Sequence, residues 1–150
     1  MNRHITVPGA PQTKGNVIKG RWGGYHDANK RLGGWMHDLA AAMVDAGWAT
    51  DPILMGPVAL SCTFHMPRPK AHLRADGTLR PNAPAWHDKR GDLDKLLRAV
   101  GDALTASGAI RDDAQIATIA ASKRYALAPG VDIHLEQVGQ SLGLTPLDKP

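Results

Sequence analysis

The sequence predicts an α+β fold, and three observations carry that reading. Two segments place apolar residues at helical spacing, three others alternate apolar and polar residues, and the two kinds interleave in the order β-α-β-α-β-β. The 150 residues suit one small domain over 1–150, a mixed sheet of about four strands with two main helices.

The elements follow in chain order. His4-Ile5-Thr6-Val7 reads as a short strand stopped by Pro8, and Pro11 keeps the next stretch irregular. Residues 9–27 (GAPQTKGNVIKGRWGGYHD) have neither period and form a long loop. From Asn29 to Gly47, Leu32, Trp35, Met36, Leu39, Ala42, Met43 and Ala46 mark an amphipathic helix, broken at its front by Gly33-Gly34. Val58, Leu60, Cys62, Phe64 and Met66 alternate with smaller or polar residues as a strand ending at Pro67. Residues 67–91 form a second loop with four prolines. Leu93, Leu96, Leu97, Val100 and Leu104 mark the second helix, ended near Gly108. A strand is expected around Gln115–Ala121 and a last one over Val131, Ile133 and Leu135. The tail 139–150 is expected to be frayed or partner-dependent. The pattern leaves strand neighbours open.

Charge is uneven along the chain. Its net value is +4 and its isoelectric point about 9.5. Residues 1–37 hold six Lys/Arg against one Asp, a local +5, and residues 65–91 hold six against two, a local +4. Between 92 and 113 five Asp (92, 94, 102, 112, 113) face three cations. Basic segments of this kind suit a polyanionic partner, and nucleic acid in particular. Lys14, Lys19, Arg21, Lys89, Arg90 and Lys95 are the candidate DNA-binding residues. Trp22, Tyr25 and Trp86 lie in the same basic loops, where a ring either stacks on an unpaired base or packs as a loop cap.

Several classes are disfavoured. A lone cysteine, Cys62, gives neither a disulfide framework nor a cysteine zinc cluster. The seven histidines lack the H-x-x-H and H-E-x-x-H spacings of zinc sites, and His65 at a strand end and His87 in the adjacent loop are left as candidate helpers. No apolar run reaches the ~20 residues of a membrane span, and the opening MNRHITVPGAP has no signal-peptide core, so a cytoplasmic protein is expected.

The acidic island carries the chemistry. Asp92 and Asp94 are two apart, where extended chain passes into helix, so both carboxylates are expected to face outward together while Leu93 enters the core. Arg98 follows Asp94 by four residues, one helical turn above it. Asp112-Asp113 precedes a strand, whose alternation admits one of the two to a shared site. Each piece alone also suits a helix cap or a turn.

Taken together, GDLDKLLRAVGDALTASGAIRDDAQI resembles the central motif of the RusA-type Holliday junction resolvases, an endonuclease family of bacteria and phages. Asp92-Leu93-Asp94-Lys95-Leu96 fills its D-[LI]-D-[NK]-L element, Asp102-Ala103-Leu104 its D-A-L, and Asp112-Asp113-Ala114-Gln115 its D-D-[AS]-Q. The upstream ITVPGAP, Lys14-Gly15 and His65-Met66-Pro67 are similar too, and the likeness spans roughly residues 4–137. The resemblance implies a homodimer that nicks opposing strands of a four-way DNA junction with Mg²⁺, Mn²⁺ being a substitute. It implies Asp92, Asp94 and Asp113 as metal-binding and catalytic carboxylates. A catalytic lysine of the family falls on Arg98, which keeps the positive charge but cannot carry a proton. Residues 68–88 are longer than in compact members. Two readings compete with a resolvase: a basic dimeric module that binds junctions without cutting, and a nuclease for another branched DNA.

Overall fold

The computed structural model describes residues 2–50 and 53–139. The expected tail therefore lies outside the described residues except for Gly139.

Four strands form the main sheet: β1 (Asn2–Pro8), β4 (Val58–Pro67), β5 (Ile116–Ala126) and β6 (Gly130–Gln137), in the order β1-β6-β4-β5. β6 runs antiparallel to both β1 and β4, whereas β4 and β5 are parallel. A parallel pair needs a crossover, and helix α2 (Leu93–Ser107) provides it. The expected α+β class, mixed four-stranded sheet and β-α-β-α-β-β order are all present.

The core lies between one sheet face and the two helices. α1 (Leu32–Asp45) buries Leu32, Trp35, Leu39 and Met43, and α2 buries Leu96, Ala99, Val100, Ala103 and Leu104. Both sets repeat every three or four residues, so each falls on one helical face. They meet Leu60, Cys62, Phe64 and Met66 of β4 and Val131, Ile133 and Leu135 of β6, all buried. Burial also pushes the Cys62 thiol up to about 12, so this sulfur stays protonated.

α1 runs through Gly33-Gly34, where a break was expected; the buried Leu32 and Trp35 on either side hold that turn in helix. The other sheet face carries His4, Thr6, His65, Asp132 and His134. There Asp132 accepts hydrogen bonds from Thr6 Oγ1 at 2.5 Å and His65 Nε2 at 2.8 Å, and the rings of His4 and His134 stack 4.1 Å apart. His65 thus lies across the sheet from α2 and its acidic residues.

Two departures position the functional elements. The loop 9–27 contains a short antiparallel hairpin, β2 (Val17–Lys19) with β3 (Tyr25–Asp27). The long segment 68–88 folds back onto the free edge of β5: Tyr125 N–H donates to Ala85 O at 2.9 Å and His87 N–H to Lys123 O at 3.3 Å. Covering this edge removes a row of unpaired strand groups. His72 and His87 pack edge-on against Tyr125, and the Trp86 ring lies under Arg124, which fastens the segment.

Candidate active site

The site begins at the N-terminus of α2. Asp92 is the cap residue, with φ −62° and ψ 134°, and its carbonyl accepts from Leu96 N–H at 3.0 Å, the first helical bond. Its carboxylate does not cap the helix. It borders a recess of about 490 Å³ shared with Asn16, Asn29, Arg90 and Lys95.

Asp94 is the second residue of the helix. Asp92 and Asp94 are both exposed on either side of Leu93, which packs against the core. Asp94 opens on a cleft of about 350 Å³ between α2 and β5, lined also by Leu97, Arg98, Gly101, Asp113, Ile116 and Ile119. Gly101 lies at its floor, where a Cβ would make only ordinary contacts, 3.8 Å from Ile116 Cδ1 and 4.0 Å from Asp113 Cβ.

Asp112 and Asp113 divide their tasks. Asp112 caps the short 3₁₀ turn Asp113–Gln115, its Oδ1 accepting from Ala114 N–H at 2.8 Å. Gln115 completes the reciprocal cap, its Oε1 accepting from Arg111 N–H at 2.7 Å and from Asp112 N–H at 3.3 Å. Its amide donates to Leu54 O and Gly56 O at 3.1 and 2.8 Å, anchoring the turn. Asp113 is left to line the cleft. Its hydrogen bond with Asp112, slight desolvation and the nearby charges of Asp112 and Asp102 raise its carboxyl above the usual range, whereas Asp112 is lowered, chiefly by Ala114 N–H. Asp113 sits in a surplus of negative charge that a cation or a phosphate-bound cation would relieve.

Asp94, Asp113 and Arg98 therefore share one cleft, and Asp92 borders the next recess around the helix. Among the described residues, no three His, Cys, Asp or Glu side chains form a group that encloses a cation. Two hard carboxylates beside an open cleft nevertheless match the way Mg²⁺ is held, by one or two carboxylates with waters and substrate phosphates. The donor set fits the ion.

The candidate DNA-binding residues separate into two groups. Lys14 and Lys95 hold the 9–27 loop to α2: Lys14 is ion-paired with Asp102, its N–H donates to Lys95 O at 3.0 Å, and Lys95 Nζ donates to Asn16 Oδ1 at 2.6 Å. Lys19, Arg21, Lys89 and Arg90 are exposed. Arg21 lies 5.1 Å over the Trp22 ring, Lys89 is 3.7 Å from Asp88, and Arg90 reaches the recess of Asp92.

Three supporting residues escaped the sequence reading. Lys123 of β5 donates to Lys89 O and Gly91 O, fixing the chain that leads into Asp92. The ladder partner of Lys123 is the buried Phe64, a pairing that the sequence alone does not show. Gly15, at φ +118°, passes against the Arg98 guanidinium: a Cβ there would come within 2.7 Å of Nη1. Asp27 closes the hairpin base, accepting from Gly15 N–H at 2.8 Å and Asn29 N–H at 2.9 Å, and these bonds lower its pKa.

A carboxylate-lined cleft beside basic loops defines a nucleic-acid-cleaving class of site. Residues 8–136 of this chain match the family of the endodeoxyribonuclease RusA. The chain belongs to that family, as the D-L-D and D-D-A-Q segments had indicated. A search of curated proteins returned no match. Among the described residues, no helix is long and apolar enough to cross a membrane.

Proposed function

We propose that this chain acts as a Mg²⁺-dependent, structure-selective endonuclease, resolving four-way DNA junctions as a homodimer. The observation that carries this reading is the convergence of Asp94, Asp113 and Arg98 on one cleft while Asp112 is committed to its turn. A pure binding module gains nothing from uncompensated carboxylates aimed at phosphates, which they repel.

Asp94 and Asp113, with Asp92 on the same helix start, are the residues that would hold the ion. Bound there, it would supply polarisation of the scissile phosphate and a lower pKa for an attacking water. Arg98 forks onto the phosphate and stabilises the charge that grows there, and it stays protonated throughout. Lys123 keeps the Asp92 segment in place through its two carbonyl acceptors. Arg90 borders the recess and the exposed Lys89 precedes it, and both meet backbone phosphates without reading sequence.

The symmetry of a four-way junction asks for two nicks, and a C2 homodimer presents two clefts with matching symmetry. The test compares a labelled four-way junction, a fork and a linear duplex, with and without Mg²⁺. Paired nicks in the junction alone, only with the ion, support the reading. Cleavage of the fork alone makes this a nuclease for another branched DNA, and binding without cutting makes it a junction-binding module. Sedimentation should give twice the 16.0 kDa chain mass.

A further inference from the structure

The β2–β3 hairpin carries large side chains into solvent. Trp22 is 90% exposed and Tyr25 77%, although tryptophan ordinarily buries most of its surface. The turn that presents Trp22 is built for it. Gly23 and Gly24 take positive φ, and Gly20 N–H closes the turn on Gly24 O at 2.9 Å. Arg21 stacks its guanidinium on the same ring, and from Lys14 to His26 there are three cations and no carboxylate.

The hairpin is also keyed to the catalytic helix. Lys14 N–H donates to Lys95 O, Lys95 Nζ donates to Asn16 Oδ1, and Ala28 N–H donates to Asn16 O at 2.7 Å. Asp27 ties the two ends of the ribbon together through Gly15 and Asn29. The exposed ring therefore stands at a set offset from Asp94 and Arg98, which the same helix carries.

An aromatic face framed by cations fits a polyanion that exposes flat π-surfaces, which is nucleic acid with unstacked bases. The interior of a duplex hides those faces, and a branch point opens them. We infer that Trp22 stacks on an unstacked base at the branch point of the DNA, with Lys19 and Arg21 on the flanking phosphates. The hairpin then measures the distance from branch to cleft, so it places the nick. This inference rests on the nuclease reading for its substrate and adds the element that registers it.

The test places 2-aminopurine at the branch point of a four-way junction or mid-arm, and adds the full chain without Mg²⁺. Wild-type protein should change the fluorescence of the branch probe and leave the arm probe unchanged. Trp22→Ala should abolish that response and weaken junction affinity about 5- to 150-fold, the loss expected for one base–aromatic stack, while linear-duplex binding changes little. Trp22→Phe should restore most of both. The ring makes little contact with the body of the protein, so the fold survives the change. A Trp22→Ala protein with the wild-type probe response and affinity would overturn the inference and assign the exposed ring to a protein partner instead. Wild-type cleavage of the same junction with Mg²⁺ is read separately. If the wild type binds and stacks but never cuts, the nuclease reading fails and the stack stands; if it cuts and Trp22→Ala is indistinguishable from it, the stack fails alone.

Discussion

Lys123 Nζ donates to the carbonyl oxygen of Gly91 at 2.8 Å, joining strand β5 to the residue that precedes Asp92. A second bond, to Lys89 O at 2.9 Å, makes the ammonium a clamp on the chain leading into α2. Lys123→Met keeps the aliphatic stem and removes both donors. Cleavage should fall about tenfold, the consequence of losing roughly 1.4 kcal/mol of positioning, while Mg²⁺-free junction binding changes little. Lys123→Arg should recover most of the rate. Single-turnover cleavage beside thermal melting separates the cases: a lower melting temperature with unchanged cleavage by the folded fraction would reduce Lys123 to a fold-keeping residue.

Gly15 and Arg98 define a second constraint. An alanine at 15 must adopt φ +118° and would bring its methyl within 2.7 Å of Arg98 Nη1. Gly15→Ala is expected to displace the guanidinium and cost cleavage roughly tenfold or more, beyond the ~1–2 kcal/mol of backbone strain. Arg98→Lys, with its shorter head, should retain activity and suffer less from Gly15→Ala. The double-mutant cycle isolates this contact, since the backbone strain is common to both backgrounds. Strictly additive losses would mean that Gly15 affects the loop and not Arg98.

Acidification should loosen the hairpin. Asp27 has its carboxyl lowered by the N–H groups of Gly15 and Asn29, so its folded pKa lies below the ordinary 3.8. Such a group contributes stability that is fully present above the unfolded value and is lost as pH falls through the folded one. The protection factors of the Gly15 and Asn29 amides, each taken against the intrinsic rate at that pH, should therefore hold at neutral pH and drop below about pH 4. In Asp27→Asn the protection should be lower and flat over the same range. Unchanged wild-type protection down to pH 2 would show that other contacts hold the hairpin.

The periodic elements were legible because burial enforces their period. α2 and β4 lie where Leu96–Leu104 and Val58–Met66 placed them, since one face of each meets the core. The β2–β3 hairpin was not legible: its three-residue strands are exposed, so no burial pattern marks them, and its glycines read as loop. β5 was placed at Gln115–Ala121 but runs Ile116–Ala126, because Lys123 and Arg124 break the apolar alternation while β4 and the 85–87 segment still pair with it. At the site, the two-residue spacing of Asp92 and Asp94 around the core-facing Leu93 was legible, and both acids are exposed. The division between Asp112 and Asp113 required the hydrogen bonds of Gln115, whose anchors at Leu54 and Gly56 are distant in sequence.

The last prediction concerns the carboxylates themselves. Asp94 and Asp113 border one cleft, and Asn at either keeps the shape while removing a charge and a strong metal ligand. Cleavage should fall at least about 100-fold, as expected when metal-assisted activation is lost, and Mg²⁺-free binding should persist or tighten. Asp92→Asn should show the same pattern if its carboxylate reaches the ion from the neighbouring recess. Asp112→Asn should differ. Asparagine can still accept from Ala114 N–H, so the turn survives, and Asp113 loses the neighbouring carboxylate that raises its pKa. Its cleavage should stay within a few-fold of wild type at neutral pH. Asp102 is unsuitable as a silent control, because it pairs with Lys14 and adds to the charge around Asp113. Asp38, exposed on α1, serves instead. The measurement is cleavage of a labelled four-way junction beside its gel shift for each variant. Wild-type rates from Asp94→Asn and Asp113→Asn would sink the assignment of this cleft, whereas a loss confined to Asp112→Asn would exchange the two neighbours.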